Sequence, residues 1–217
     1  MSQNAAQLVL RPFEERDFYP LAGLMAKTWL PDFPGYPGEL AATVELCDYL
    51  AQTTWSLVAE RGGTLLGAIL LGEKDREVAD ADEWRRRGAE AEREAAGNPD
   101  ATRAMDLEMA GVVEEAGLAL EYELTGAAEV ACVVKLLIVS PEARGLGLGR
   151  RLFDAVRSYL RERGAAGYHL LTDDSCDVSF YEHMGLARAM DRKSEVVWPG
   201  GDPATDDFHV YVYSERL

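Results

Sequence analysis

A predicted strand runs into a predicted helix through the stretch Val139-Ser140-Pro141-Glu142-Ala143-Arg144-Gly145-Leu146-Gly147-Leu148-Gly149-Arg150-Arg151-Leu152. Three glycines in such a turn allow backbone N–H groups to converge on one point, and the start of the helix adds the positive end of its dipole. Three arginines of the stretch, Arg144, Arg150 and Arg151, place formal positive charge beside these amides. The stretch therefore predicts a strand, turn and helix that together bind an anion.

Two common phosphate-binding motifs do not fit this turn. A P-loop requires a lysine followed by serine or threonine after its last glycine, and no lysine follows the glycines here. A dinucleotide-binding fingerprint requires glycine where Arg150 stands. The three flanking arginines nevertheless favour anion binding over a glycine-rich turn that only starts a helix.

Strands and helices alternate on both sides of the turn. Hydrophobic periodicity and the positions of glycine and proline predict strand 8–12, helix 14–29, loop 30–38, helix 39–52, strands 55–60 and 64–71, strand 129–139, helix 149–163, strand 166–172, short helix 177–184, and strands 186–198 and 208–214 separated by loop 199–207. Gly62-Gly63 between two strand-like runs is typical of a hairpin turn. This order predicts an α/β fold with a partly parallel sheet covered by helices.

Composition limits the function classes. The 217 residues, taken as one domain over 1–217, carry a net charge of -16, which argues against binding to nucleic acid or to an anionic membrane. No apolar run approaches the ~20 residues that a membrane-spanning helix needs. Three cysteines are too few for a disulfide framework or a paired-thiolate zinc site, and Asp173-Asp174-Ser175-Cys176-Asp177 has no second cluster to complete a metal shell. We expect a cytoplasmic protein without a metal.

Residues 73–123 differ in composition from the rest. This segment has 16 acidic and 7 basic residues, and Gly97-Asn98-Pro99 divides it into two predicted helices. We interpret it as a helical insertion, with a solvated excursion over the core as the preferred arrangement. An uneven apolar stripe in its second helix would pack on the body or on a second subunit, so a homodimer is possible; its residues are Met105, Met109, Val112, Val113, Leu118 and Leu120.

Two motifs resemble those of a known family. The pattern Val139-x-Pro141-x-x-Arg144-x-x-Gly147-x-Gly149, followed by Phe180-Tyr181-x-x-x-Gly185-Leu186, is similar to the acyl-CoA signature and the C-terminal helix motif of the GNAT (Gcn5-related) N-acetyltransferases. Both motifs stand in the family's order, with room for one helix and one strand between them. The resemblance implies a GNAT-type mixed, centrally parallel sheet flanked by helices, from which the insertion at 73–123 departs.

The resemblance also implies acetyl-CoA as co-substrate and a set of residues that would bind it. The pyrophosphate would be held by the backbone of Gly145, Leu146, Gly147, Leu148, Gly149 and Arg150, with the guanidinium of Arg144 or Arg150 nearby. The strand edge at Leu137, Ile138 and Val139 would pair with the pantetheine amides and polarise the thioester carbonyl. Asp174 stands where the family often has an asparagine that contacts the pantetheine arm.

Two residues are candidates for proton transfer during direct attack by a primary amine. An alkyl amine has a pKa of ~10.4 and must lose a proton to react. By the resemblance, Tyr181 would be the general acid that protonates the departing thiolate, and Glu129 the general base. The alternatives are an aromatic side chain that only packs its helix and a solvent-exposed glutamate at the start of a strand. His169, His183 and His209 do not enter this hypothesis.

The acceptor is not specified by these motifs. In the family, the regions of Trp29, Phe33, Tyr36 and loop 199–207 line the acceptor cleft, and the net acidity favours a cationic small-molecule or peptide amine such as a polyamine, an aminoglycoside-like compound or a lysine side chain. Two alternatives stay open. One is a catalytically silent protein that binds acyl-CoA as a sensor, and the other is an interaction protein that recruits a basic partner through residues 73–123.

Overall fold

The computed structural model describes residues 7–197 and 205–217. The strands are β1 (Leu8–Arg11), β2 (Trp55–Arg61), β3 (Thr64–Glu73), β4 (Cys132–Val139), β5 (Gly167–Asp173), β6 (Ala187–Lys193) and β7 (His209–Arg216). The helices are α1 (Phe18–Trp29), α2 (Tyr36–Ala51), α3 (Ala81–Ala95), α4 (Pro99–Leu124), α5 (Leu148–Glu162) and α6 (Val178–His183). The predicted α/β class is confirmed.

The strands of the described residues form one sheet in the order β1-β2-β3-β4-β5-β7-β6. Every neighbouring pair is antiparallel except β4 and β5, which are parallel at the centre of the sheet. The predicted Gly62-Gly63 hairpin joins β2 to β3, and both glycines have positive φ, which explains why glycine is needed there. The predicted centrally parallel mixed sheet is therefore confirmed.

Helices cover both faces of this sheet. On one face, α1 and α2 bury Phe18, Leu21 and Leu46 against Leu70 and Ile138. On the other face, five residues of α5 repeat at helical spacing and are all buried: Leu148, Leu152, Phe153, Val156 and Leu160. Burial of these apolar faces fixes which way each helix points, and it holds the glycine turn before α5 at the end of β4.

Several predicted boundaries are wrong by a few residues. The predicted strand 129–139 begins at Cys132, because residues 128–131 form a 3₁₀ turn. The helix predicted from residue 39 begins at Tyr36, inside the predicted loop 30–38, because Pro37 is tolerated in the first turn of a helix. The strand predicted over 186–198 ends at Lys193. Trp198 and most of loop 199–207 lie outside the described residues.

The segment 73–123 forms the two predicted helices, α3 and α4. The break between them is confirmed, since the Asn98 side chain accepts hydrogen bonds from the backbone N–H groups of Asp100 (3.0 Å) and Ala101 (3.2 Å) and so caps α4. Trp84 of α3 stacks on Phe18 with ring centroids 5.4 Å apart. The preferred arrangement as a solvated excursion is wrong, because seven residues of these helices are buried: Gly88, Ala91, Ala95, Ala101, Ala104, Leu118 and Tyr122.

The outer face of α4 carries apolar side chains that are exposed to solvent, namely Met109, Val113, Leu120 and Leu124. Only part of the predicted stripe points outward, since Leu118 is buried against β7. Homodimer formation stays a prediction. In the part of the chain that the structure describes, no helix is both long enough and apolar enough to cross a membrane.

Candidate active site

The two parallel central strands separate near the middle of the sheet. β4 and β5 pair only at Val133 with His169 and at Val134 with Leu170. Beyond these pairs, the ladder between the strands ends, although both strands continue. The edge of β4 that faces β5 is therefore open from Lys135 onward, and its backbone groups can pair with an extended ligand as a further strand would.

Hydrogen-bond alternation shows which β4 amides face the opening. Ser140 N donates to Leu66 O of the β3 segment (2.8 Å). Because successive amides of a strand point to opposite sides, Ile138 also faces β3, whereas Leu137 and Val139 face the opening. Of the three β4 residues predicted to contact the pantetheine, Leu137 and Val139 thus have free backbone groups, and Ile138 is committed to the sheet.

The glycine turn lies at the end of this open edge. Gly145 and Gly147 have φ of 77° and 63°, a conformation that favours glycine, and Gly147 is the N-cap of α5. Arg151 N donates the first backbone bond of α5, to Gly147 O at 3.1 Å. The amides of Leu148, Gly149 and Arg150 precede that bond, so they are the free donors that every helix start presents.

The charged side chains around the turn are exposed. Arg144, Arg150 and Arg151 reach solvent, and none of them forms an ion pair with a carboxylate of residues 7–197 or 205–217. The Gly149 Cα lies against Phe180 of α6, where an added Cβ would be 3.3 Å from the ring. This contact joins the turn to the helix that carries Tyr181.

A cavity of about 560 Å³ opens between the separated strands and extends to α2 and α4. Leu137, Thr172 and Tyr181 line the end of the cavity at the strands. Tyr181 is 8% exposed, and burial raises the pKa of its hydroxyl, so this group is protonated at neutral pH and can donate a proton. The structure thus brings the predicted acid next to the predicted strand edge.

The rest of the cavity is acidic. α2 contributes Glu45 and Asp48, α4 contributes Glu108, Glu114, Glu115 and Glu123, and β5 contributes Asp173. Burial is the main cause that raises the pKa of Glu45, Glu108 and Asp173. Burial together with the charges of Asp173, Glu108 and Glu114 raises the pKa of Glu115 to about 8. Glu115 is therefore poised to exchange a proton near neutral pH.

One lysine lines the cavity among the described residues, and it does not neutralise these acids. Lys135 Nζ donates to Gln52 Oε1 at 2.7 Å, and burial lowers its pKa. Glu123 pairs instead with Lys74 outside (2.6 Å), and Asp173 accepts from Ser175 N at 2.9 Å. Glu45, Glu108 and Glu115 are among the groups that have no cationic partner in the described chain.

Glu129 lies outside the cavity. It is 5% exposed, and its Oε1 accepts from Arg216 Nε at 2.7 Å. Burial raises the pKa of Glu129, but the hydrogen bond and charge of Arg216, together with a backbone hydrogen bond and the charge of His169, hold the pKa below its usual range. The glutamate is neither exposed at a strand start nor directed at the opening, because the 3₁₀ turn points it toward β7. Its geometry favours a structural role.

Asp174 is also directed away from the opening. Its Oδ2 accepts from His209 N (2.8 Å) and its Oδ1 from the Tyr211 hydroxyl (2.7 Å). Both oxygens are thus used to hold β5 against β7. Cys176 lines the cavity, but burial raises the pKa of its thiol, which disfavours a nucleophilic thiolate. His169 is buried, and burial lowers its pKa, so it stays neutral.

The aromatic side chains predicted at the acceptor cleft divide into two groups. Trp29 and Phe33 line the cavity. Tyr36 does not line it, and its hydroxyl donates to Glu94 of α3.

Three acids of the cavity, Glu45, Glu108 and Glu115, were not predicted as site residues. Glu108 and Glu115, seven residues apart on one helix, were the available signal, since that spacing places both on one face. We found no three His, Cys, Asp or Glu side chains in the described ranges that together could hold a metal.

Comparisons with known proteins agree with this geometry. A family model described as an acetyltransferase (GNAT) domain matches residues 108–185, which include the end of the predicted insertion, the glycine turn and Tyr181. No curated protein sequence matches the chain.

Solved structures show the same fold at low sequence identity. The ribosomal-protein-S18-alanine N-acetyltransferase from Escherichia coli is 13% identical with a TM-score of 0.51, over 97% of this chain and 94% of that one. A GNAT-family acetyltransferase from Staphylococcus aureus Mu50 is 14% identical with a TM-score of 0.53, over 97% and 99%. Ard1 from Thermoplasma volcanium is 14% identical with a TM-score of 0.51, over 97% of both chains. Over residues 108–185 this chain is thus similar to the acetyltransferase (GNAT) domain, and it shares the fold of these acetyltransferases.

Proposed function

We propose that this protein transfers an acetyl group from acetyl-CoA to a primary amine of a cationic acceptor, by direct attack of the amine. One observation carries the proposal: the open edge of β4, the Tyr181 hydroxyl and the carboxyl groups of Glu45, Glu108 and Glu115, which have no cationic partner in the described chain, border the same cavity. The strand edge suits an amide-containing donor, and the acidic wall suits a cationic acceptor.

The donor side supports acyl-CoA as the substrate. The free amides of Leu137 and Val139 lead along β4 from the cavity to the glycine turn. At the turn, the free amides at the start of α5 and the exposed guanidinium groups of Arg144 and Arg150 suit a pyrophosphate. The pantetheine arm would therefore lie along the open edge, with the thioester at the cavity. This arrangement uses the backbone for most of the contacts.

The proposed reaction needs two proton transfers. The amine lone pair attacks the thioester carbonyl carbon, the C–S bond breaks, and its electron pair leaves with the sulfur. Tyr181 gives its proton to that thiolate, and a carboxylate removes the proton from the amine nitrogen, so that the products are an acetamide and a free thiol. A free β4 amide stabilises the negative carbonyl oxygen during attack.

Glu115 is the base that we propose in place of Glu129. It lines the cavity, no basic residue of the described chain pairs with it, and its charge acts on the Tyr181 hydroxyl. Its pKa of about 8 matches the task of accepting a proton near neutral pH. Glu129, by contrast, is paired with Arg216 and does not border the cavity.

Calorimetric titration with acetyl-CoA tests the donor site. We expect saturable binding by the parent protein and at least hundredfold weaker binding by the double variant Arg144→Glu, Gly147→Glu. The matched control is Arg161→Glu, Gly164→Glu at the other end of α5, where the glycine also has positive φ (68°) and open space around it. The control should bind as the parent does. Equal loss in both doubles, or no binding by the parent, would refute the donor site.

Turnover separates the proposal from its alternatives. Release of free thiol in the presence of an amine panel is expected for an enzyme, whereas a silent acyl-CoA sensor would bind acetyl-CoA and release none. The alternative of a recruiting segment at 73–123 loses support, because α4 forms a wall of the cavity. Free thiols at Cys47, Cys132 and Cys176 support our placement of the reaction in the cytoplasm.

A further inference from the structure

Four acids of the cavity, Glu45, Glu108, Glu115 and Asp173, act on one another electrostatically, and we divide them into two pairs by their positions on the helices and the strand. Glu45 of α2 lies beside Glu108 of α4, and we call them the distal pair. Glu115 of α4 and Asp173 of β5 influence each other and the Tyr181 hydroxyl, and we call them the proximal pair. Glu108 and Glu115 are seven residues apart on one face of α4, a rise of ~10 Å along the helix axis.

The distal pair has an unfilled hydrogen-bonding position. Glu45 is 8% exposed, its Oε1 accepts from the Tyr49 hydroxyl, and its buried Oε2 has no partner in the described chain. Because the pKa of both carboxyls is raised, the pair retains a proton without a ligand; ionisation of both would leave a buried oxygen without a donor and add repulsion between the carboxylates. Lys135 forms no ion pair with Glu45 or Glu108 in the described chain; it donates to Gln52, and the carboxylates that act on it are Asp48 and Glu123. A cationic group of a ligand would supply the missing donor and the missing charge.

A monoamine cannot satisfy both pairs. If its nitrogen is at the proximal pair, where Tyr181 and the open strand edge lie, the distal pair keeps its unpartnered oxygen. A second ammonium group on the same molecule, about two helical turns away, reaches the distal pair. Gly111 and Val112, which lie between Glu108 and Glu115 on α4 and line the cavity, carry no polar side chain and suit a chain of methylene groups.

We infer that the acceptor is an aliphatic amine with at least two ammonium groups, one acetylated beside Glu115 and Asp173 and the other bound by Glu45 and Glu108. This inference rests on the proposed acetyl transfer and assigns the substrate class. The distal pair does not touch the reacting atoms, so its contribution is to bind and orient the acceptor. The insertion helix α4 thereby sets specificity, since it contributes one carboxyl group to each pair.

A panel of amines of increasing length tests the inference with acetyl-CoA and the full chain. Putrescine, cadaverine, diaminoheptane and spermidine are each compared with the monoamine of similar length. We expect kcat/KM to favour the diamine at least tenfold once its length spans both pairs. Glu108→Gln and Glu45→Gln should each lower this preference at least fivefold. Asp106→Asn, a charge change at an exposed position of α4 outside the cavity, should preserve it.

Calorimetry of diamine binding in two buffers of different ionisation enthalpy gives a second readout. Binding should release protons at neutral pH, because the carboxyl groups with raised pKa ionise against the ammonium groups. Equal kcat/KM for diamines and monoamines, an equal loss of preference in Asp106→Asn, or absent diamine binding would each overturn the inference. Acetylation of monoamines without diamine preference would leave the proposed function standing. Diamine binding without any acetylation would instead refute the proposed transfer and keep the distal pair as a cation site.

Discussion

The two sides of the opening between β4 and β5 are built in different ways. On the donor side, the glycine turn and the strand edge present backbone amides, and exposed arginines add positive charge. On the acceptor side, α2 and α4 present carboxyl side chains, of which Glu45, Glu108 and Glu115 have no cationic partner in the described chain. Backbone groups suffice to bind the phosphates and amides of a donor that many enzymes share. An acceptor that differs from enzyme to enzyme has to be recognised by side chains. The contrast teaches why the donor side resembles a family motif and the acceptor side does not.

Replacing Tyr181 by Phe tests whether the two sides meet at one reaction centre. We expect kcat to fall about 100-fold or more, because the leaving thiolate loses its proton donor, with little change in the Kd for acetyl-CoA. Steady-state kinetics and calorimetry measure both quantities. The matched control is Tyr213→Phe, whose ring packs on Tyr181 but whose hydroxyl bonds to Arg188 at 3.0 Å. If both variants keep the parent kcat, Tyr181 only packs its helix.

Replacing Glu115 by Gln tests the acceptor side alone. We expect kcat/KM for the amine to fall about 100-fold near neutral pH, since the base that accepts the amine proton is lost. The parent should show a rise in rate with pH that levels above about pH 8, and the variant should lack this rise. Acetyl-CoA binding should not change. An unaltered pH profile would show that another group takes the proton.

In the absence of any substrate, the pH dependence of the free energy of unfolding should reveal the raised pKa of Glu115. Because the folded pKa of Glu115 lies above its unfolded value of ~4.3, its contribution is complete below the unfolded pKa and is lost as pH rises through about 8. From about pH 6 to about pH 8, we expect a loss of about 2 kcal/mol, or a decrease in Tm of roughly 4–8 °C. Thermal denaturation of Glu115→Gln should show a smaller decrease; an identical decrease would contradict the assignment.

The smallest effect is expected at Glu129, which lies on neither side of the opening. Replacement by Gln should reduce the free energy of unfolding by about 1 kcal/mol, because a buried partner of Arg216 loses its charge. The change in kcat/KM should stay below about twofold. Denaturant unfolding and amine kinetics measure the two values. A hundredfold loss of kcat/KM without loss of stability would restore Glu129 as the base.

Much of the fold followed from local patterns. The order of strands and helices, the Gly62-Gly63 hairpin and the capped break at Asn98 were predicted, because periodicity and turn chemistry act over a few residues. Predicted boundaries were wrong where local signals conflict. Proline is common in loops and also in the first turn of a helix, and Pro37 lies in the first turn of α2.

The sequence by itself was enough to propose the donor side of the site, because the glycine turn, its arginines and the strand before it are contiguous in the chain and would bind a ligand through backbone groups. Only the tertiary structure decided the acceptor side. Glu45, Glu108, Glu115 and Asp173 come from two helices and a strand, and their shared cavity arises from the packing of α4 against α2 and the sheet. The structure also shows that Glu129 pairs with Arg216 outside the cavity, and these two residues are 87 positions apart in sequence. Burial and charge partners are properties of the packed chain, so no local pattern could reveal which carboxyls are free.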